Sequence, residues 1–536
     1  MFQPNLIEKD MIYTTFNWDY ANERFIYSKL IIILTQQKEI QYIKNGAIIR
    51  IDTIKDISKT PQVLHNFQQI KYLQWCGKYG LNDQKVGKWF AKWNCETIID
   101  VGGIYSDDGK KQGLWKEMIK NYWIKAQAYE IGQYVSDLRN GTWKQIYEDK
   151  EIGGGDYNKQ GQKEGKWKEF WDGFWHYSQV FYLGEYQNGN KVGRWDILCY
   201  DEIIGGGLYD KGIKLGYWIE VSDRFYEGSY ITHKGQYKNG QKVGRWDICY
   251  QNKHIGGGSY EEGIKDGNWV EVSDEFQDSS QITYEGEYKK GKQIGKWNIL
   301  FEKIVIGGGS YDGGIKIGNW VEVSDEFSEF SQVTVYGEYK NGQKDGKWDI
   351  CYKEYWEKNA QSMKIGGGLY DEGIKSAKWV EVQDRFQKDA QVFYNGEYKN
   401  NKKVGRWDIF FQNTHIGGGQ YDEGIKVGNW IELSDEFRVD SQVKYIGEYK
   451  NGKKIGKWEI MVKDEWNLRP FYYIGGGLYD EEGEEFKLGK WVDVADDKWF
   501  LTYTGEYQNG KKVGIWVEID IYNNKNLQIG EKNYEN

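Results

Sequence analysis

The residue pattern predicts an all-β protein, an elongated single-layer antiparallel β-meander or ribbon of about 17 hairpin units with a small N-terminal cap. Three observations carry this. Gly-x-Tyr-x-x-Gly-x-x-x-Gly-x-Trp, tolerantly matched, recurs seventeen times between residues 77 and 516. The 68 glycines, 26 tryptophans and 43 tyrosines stand against three prolines, a bias that suits sheet with many tight turns. The repeat tryptophans through the middle of the chain, such as Trp195, Trp218, Trp246, Trp269 and Trp297, alternate in spacing between 23 and 28 residues, so the higher-order unit is a 51-residue pair.

Residues 1–72 lack the motif and are read as a cap on the first repeat, because an exposed terminal strand invites edge-to-edge pairing. A hairpin is expected in this segment around Asn45-Gly46, flanked by Tyr42-Ile and Ile48-Ile-Arg-Ile. Residues 73–520 form the array, and the polar tail at 521–536 is expected to be disordered from about Asn523. Insertions near 354–363 and 464–473 map to loops on one edge and are candidate partner contacts.

Within a basic unit, a two-residue type I′ turn at Asn451-Gly452 places Lys450 opposite Lys453 and Tyr449 opposite Lys454. Continued without interruption, that register puts Gly447 opposite Gly456 and Tyr445 opposite Trp458, with Tyr182–Trp195, Tyr284–Trp297, Tyr394–Trp407 and Tyr503–Trp516 as the equivalent pairs. One face is then aromatic over a glycine floor and the other mostly charged. In the second kind of unit the turn falls at Glu423-Gly424, with Gly419 opposite Gly428 and Gly417 opposite Trp430. Two strands per unit give about 34 strands, spanning roughly 160 Å at about 4.8 Å each.

A net charge of −9 with both signs abundant gives no general attraction to nucleic acid. Five scattered cysteines without a C-x-x-C fit a reducing compartment. No run approaches the roughly 20 apolar residues of a membrane-spanning helix, and the start lacks the form of a signal peptide, so a cytoplasmic protein is expected. The Ile-Gly-Gly-Gly segments, as at 416–419, lead into hairpins rather than the helix a phosphate-cradling loop requires. His233 falls at a position held by tyrosine in other copies, and no His/Cys/Asp cluster has metal-ligand spacing. Ser273-Asp-Glu-Phe, Ser324-Asp-Glu-Phe and Ser434-Asp-Glu-Phe, with Ser222-Asp-Arg-Phe as a variant, read as turns anchored by phenylalanine rather than as catalytic carboxylates. No catalytic residue, cofactor or metal is called for, and the chain is read as non-enzymatic.

The basic turns are a further candidate contact surface: Lys238, Lys242 and Arg245 around Asn239-Gly240, and Lys450, Lys453 and Lys454 around Asn451-Gly452, for an anionic partner. Acidic turns such as Asp422-Glu423 lie between them and oppose a flat anionic membrane.

The repeat core, above all Gly184-Glu-Tyr-Gln-Asn-Gly-Asn-Lys-Val-Gly-Arg-Trp195, resembles MORN repeats in the variant found in bacterial antitoxin-like repeat proteins and large protist families. The resemblance covers about residues 73–520 and implies a β-ribbon scaffold with protein partners at cytoskeletal, ciliary or membrane-associated structures, phosphoinositide binding being proposed for some members. The expected function is therefore an intracellular protein-interaction scaffold. The alternatives are a peripheral phosphoinositide-binding adaptor and a regulatory array for an enzyme on another chain.

Overall fold

The computed structural model describes residues 9–19, 24–35, 37–54, 63–64, 66–354, 361–384, 386–435, 437–463, 470–481, 485–495, 500–521 and 527–534. Among these the chain is nearly all β: strands account for 72% of it and helix for 1%. The single helix of the described residues is α1 (Phe67–Tyr72), N-capped by the Asn66 side chain. Two compact units are formed, Lys55–Gly318 on the one hand and Met1–Ile54 with Asn319–Asn536 on the other. In each, array strands pair antiparallel with their neighbours in chain order. The seventeen repeat hairpins run from the strand Leu73–Tyr79 to the strand Lys511–Asp520.

The turns are where the sequence places them. Asn451 and Gly452 have φ 50° and 80°, and Glu423 and Gly424 have φ 45° and 88°, the double positive φ of a type I′ turn. Lys450 pairs with Lys453, and Tyr449 with Lys454. Beyond Glu448 the uninterrupted register fails. Between the Glu448–Ile455 and Ile446–Glu459 pairs the first strand holds Gly447 alone, whereas the second holds Gly456, Lys457 and Trp458. Tyr445 therefore faces Ile460 rather than Trp458. The same two-residue shift sets Tyr182 against Ile197, Tyr284 against Ile299, Tyr394 against Ile409 and Tyr503 against Glu518. An even shift leaves each side chain on its expected face.

The cause is a division of labour between two glycines that sequence periodicity treats alike. Gly456 adopts φ +60°, which allows the chain to bulge. Gly447 instead underlies the indole of Trp458, where an added Cβ would lie 2.3 Å from the ring. In the second kind of unit Trp430 covers Gly419, not Gly417, for the same reason: the register shifts between Gly418 and Gln420. The Gly-Gly-Gly triplet is thus filled by protein, since a Cβ on Gly418 would meet the Trp407 carbonyl at 2.1 Å and one on Gly417 the Ile431 carbonyl at 2.7 Å.

The C-terminal segment departs from expectation. Residues 527–534 are not a disordered tail: the strand Leu527–Tyr534 pairs with the preceding one, Trp516 opposite Lys532. Residues 1–54 belong to the same compact unit as residues 319–536. Strands β1 (Lys9–Asp19), β2 (Arg24–Leu34), β3 (Glu39–Lys44) and β4 (Ala47–Thr53) form a separate antiparallel sheet. The β3–β4 turn is the expected Asn45-Gly46 hairpin, and it rests against residues 421–452, late in the array. Helix α1 lies near the first repeats, where the Gln69 side-chain amide donates to the carbonyls of Lys120 and Tyr122 at 3.0 and 2.8 Å. The hairpin finds backbone and ionic partners at 421–452. Residues 355–360 and 464–469, within the two insertions, lie outside the described residues.

Candidate functional site

Along the array the repeat tryptophans and tyrosines alternate in edge-to-face contact. Tyr237 and Trp246 have ring centroids 5.2 Å apart at 85°, Trp246 and Tyr260 6.1 Å apart at 81°, and Tyr260 and Trp269 5.0 Å apart at 83°. This geometry sets ring edges against π faces. Most of the indole N–H groups donate to backbone carbonyls, as where Trp246 Nε1 donates to the Gln236 carbonyl at 3.2 Å, whereas those of Trp297, Trp348 and Trp458 are buried without a hydrogen-bond partner. The lysine of each Lys-x-Gly-x-Trp lies over its own indole, Lys242 Nζ at 4.0 Å from the Trp246 centroid and Lys403 Nζ at 4.0 Å from that of Trp407.

Those lysines also close on a recurrent carboxylate that sequence reading missed. Glu220 is ion-paired with both Lys214 and Lys242, the latter at 3.0 Å, and accepts from the Tyr237 hydroxyl at 2.9 Å. Glu169 repeats the clamp with Lys163 at 2.5 Å, Lys191 at 2.7 Å and the Tyr186 hydroxyl at 3.1 Å. Glu117 does so with Lys111 and Arg139. In the other unit Glu381 holds Lys375 and Lys403, and Glu432 holds Lys426 and Lys454. A signal was available: Trp-x-Glu in one kind of unit, as Trp218-Ile-Glu220, alternates with Trp-x-Ile in the other, as Trp246-Asp-Ile248, so the residue two places past the tryptophan shares its face. Burial pushes these carboxyls up, but the paired lysines outweigh it and hold Glu220 and Glu169 below the usual range and Glu381 and Glu432 down to about 2. Carboxylates so saturated with donors are anionic at neutral pH and bind neighbouring strands of the array together; they are not poised for proton transfer.

This clamp divides the six basic residues of the sequence reading. Lys242 and Lys454 are absorbed by it, Lys454 lying 3.4 Å from Glu432 and 4.1 Å from the Trp458 centroid. Arg245 is on the opposite face, 2.9 Å from Asp247. Lys238 and Lys450 are exposed at strand ends, and Lys453 is half-buried. The structure does not gather them into a free cationic patch, because alternation sends neighbours to opposite faces and the inner ones meet buried carboxylates.

The other candidate residues fall as follows. Burial holds the His233 imidazole down at about 4, and the ring lies opposite Ile248 in a tyrosine position. His254 and His415 sit 3.3 and 3.2 Å from Asp247 and Asp408. Among the described residues no group of three His, Cys, Asp or Glu side chains is placed to hold a metal ion. In the Ser-Asp-x-Phe loops Phe225, Phe276, Phe327 and Phe437 are buried anchors. Loops are tied to their successors by serine hydroxyls, Ser178 donating to the Phe225 carbonyl and Ser229 to the Phe276 carbonyl, each at 2.5 Å.

One segment of the chain is seated on the array. The Tyr421 hydroxyl donates to the Asn45 carbonyl at 3.0 Å, the Lys426 N–H donates to the Gly46 carbonyl at 3.1 Å, and the Ile48 N–H donates to the Gly452 carbonyl at 3.1 Å. Lys44 Nζ lies 2.9 Å from the loop carboxylate Asp435, and Lys29 pairs with Asp325 at 3.6 Å. Ala47 packs on the Trp–Tyr cluster. In this seat the array contributes the Tyr421 hydroxyl, the Lys426 N–H, the Gly452 carbonyl and the Asp435 carboxylate.

Fold and site together define a β-hairpin repeat protein. No family model matches the chain, and no curated protein matches its sequence. Among the described residues no helix is long and apolar enough to cross a membrane.

Proposed function

We propose that this protein is a non-enzymatic scaffold, a MORN-like repeat array in the cytoplasm that binds other proteins along its turn and loop edges, at a cytoskeletal or ciliary structure. The supporting observation is the seated β3–β4 hairpin: the array edge binds an extended segment through backbone hydrogen bonds and an ion pair, the chemistry of β-strand recognition. The repeated inner carboxylates are consumed in internal clamps, which takes them out of reach of a partner.

The test is chemical cross-linking of the full-length chain in native extract, followed by mass spectrometry. A protein partner cross-linked reproducibly through the turn or loop edges supports the reading. Cross-links confined to the chain itself overturn it. A peripheral membrane adaptor is the competing reading, and the absorption of Lys242 and Lys454 into clamps weighs against it. Robust sedimentation with phosphoinositide vesicles at about 0.15 M salt, where exposed charges are screened beyond about 8 Å, would reverse this order.

A further inference from the structure

The seat of the Asn45–Ile48 turn recurs in the array. Its parts, Tyr421, Lys426, Asp435 and Gly452, all lie within one unit. The same residues at the same spacing stand in the unit Lys55–Gly318 as Tyr209, Lys214, Asp223 and Gly240, and again as Tyr260, Lys265, Asp274 and Gly291. The local structure is also repeated. Tyr421 pairs with Lys426, Tyr209 with Lys214 and Tyr260 with Lys265. The N–H groups of Gly452, Gly240 and Gly291 donate to the carbonyls of Lys426, Lys214 and Lys265 at 2.9, 3.0 and 2.9 Å.

What differs is cover. Gly452 is buried, whereas Gly240 and Gly291 are exposed. The Lys426 side chain is 9% exposed, against 30% for Lys214 and 31% for Lys265. Ile213 and Ile264, in the place of the half-buried Ile425, are each 49% exposed. A further copy shows how such a seat is closed from within: at Tyr370 an asparagine replaces the turn glycine, and Asn401 Oδ1 accepts from the Lys375 N–H at 2.5 Å.

We propose that the Tyr209–Gly240 and Tyr260–Gly291 seats are docking sites for β-hairpin tips of a partner protein, one tip per seat. The seated turn defines the chemistry of that tip. Asn45 and Gly46 have φ 51° and 79°, a type I′ turn. Glycine is required second, because a Cβ on Gly46 would lie 2.5 Å from the Tyr421 ring and 2.7 Å from the Gly424 carbonyl. Two places on, an apolar β-branched residue like Ile48 packs beside the turn glycine of the seat, and a lysine before the turn meets the loop carboxylate, Asp223 or Asp274. Three backbone carbonyl or N–H contacts supply affinity without regard to sequence, while the glycine, the apolar residue and the lysine supply selection. This rests on the scaffold reading and names the partner's chemistry.

The probe is a cyclised synthetic peptide of residues 39–53, titrated into the full-length chain by isothermal calorimetry. Two equivalents should bind. Ile213→Asp or Ile264→Asp alone should leave one equivalent, and the two together should weaken binding by about tenfold or more. Both positions are half-exposed, and circular dichroism of the variants should show the sheet content of the native chain. Tyr209→Phe with Tyr260→Phe removes only the hydroxyl donors and should weaken binding without disturbing the rings. A peptide carrying Gly46→Val should not bind. Absence of binding at millimolar peptide, or binding indifferent to Ile213→Asp with Ile264→Asp, would overturn the proposal. If that happened while native protein partners still cross-linked to the array edges, the seats would be wrong and the scaffold reading would stand.

Discussion

Gly235 and Gly244 belong to one repeat, nine positions apart in the sequence, and alanine should affect them very differently. A Cβ on Gly235 would lie 2.3 Å from Cδ2 of Trp246, with the fused-ring carbons as close, so the indole has to move. Overpacking of this kind costs about 1–3 kcal/mol. Moving the indole also weakens its edge-to-face contacts with Tyr237 and Tyr260 and the contact with Lys242, at about 0.5–1.5 kcal/mol for an aromatic pair and about 0.5–2 kcal/mol for the cation. Because the ring shifts rather than leaves, about 3 kcal/mol is the expected total. Gly244 has φ +63° and nothing within 4 Å of its virtual Cβ, so alanine there incurs only the backbone penalty, about 1–2 kcal/mol. Asparagine, which tolerates the left-handed region, should cost less still. Since a repeat array does not unfold in one step, the assay is native-state hydrogen exchange resolved to the strands Ile231–Lys238 and Gln241–Tyr250. Equal losses for Gly235→Ala and Gly244→Ala would refute the division of labour between the two glycines.

Glu220→Ala should destabilise its hairpins by about 3–5 kcal/mol, because Lys214 and Lys242 are left facing each other without a counter-charge; local hydrogen exchange measures this, and a loss below about 1 kcal/mol would make the clamp ornamental. Glu381 and Glu432, held at about 2 against an ordinary 4.5, contribute stability that is complete above pH 4.5 and is lost as pH falls through 2; acid unfolding should begin later in a chain carrying Glu381→Gln and Glu432→Gln, relative to its own neutral-pH stability. His233, at about 4 against an ordinary 6.5, binds fewer protons folded than unfolded, so its contribution falls as pH drops from 6.5 toward 4, and His233→Tyr should flatten that part of the exchange profile around strand Ile231–Lys238. Neutralising the exposed Lys238 and Lys450 should leave hydrogen exchange unchanged, whereas Lys242→Met or Lys454→Met should loosen the clamps at Glu220 and Glu432; equal effects would mean that the inner and outer lysines are not distinct.

The sequence by itself determined what depends on local chemistry. Asn451-Gly452 and Asn45-Gly46 demand positive φ and so announce their hairpins, and the strict alternation of strand side chains assigns Tyr449, Trp458 and their equivalents to one face whatever the register. Even the clamp was written locally, as Trp-x-Glu alternating with Trp-x-Ile, though nothing in one strand says that two lysines from flanking strands will close on that glutamate. The tertiary structure decided three things. It chose which glycine bulges and which underlies an indole, because the positive φ of Gly456 and the ring above Gly447 are both set by strand pairing. It turned Lys242 and Lys454 from candidate contacts into internal counter-ions, because their charge is read against residues 22 positions away. It also set the hairpin of residues 39–53 against Tyr421 and Gly452, where a hydroxyl, an amide, a carbonyl and a carboxylate converge; such convergence is a property of folded distance, which strand periodicity cannot encode.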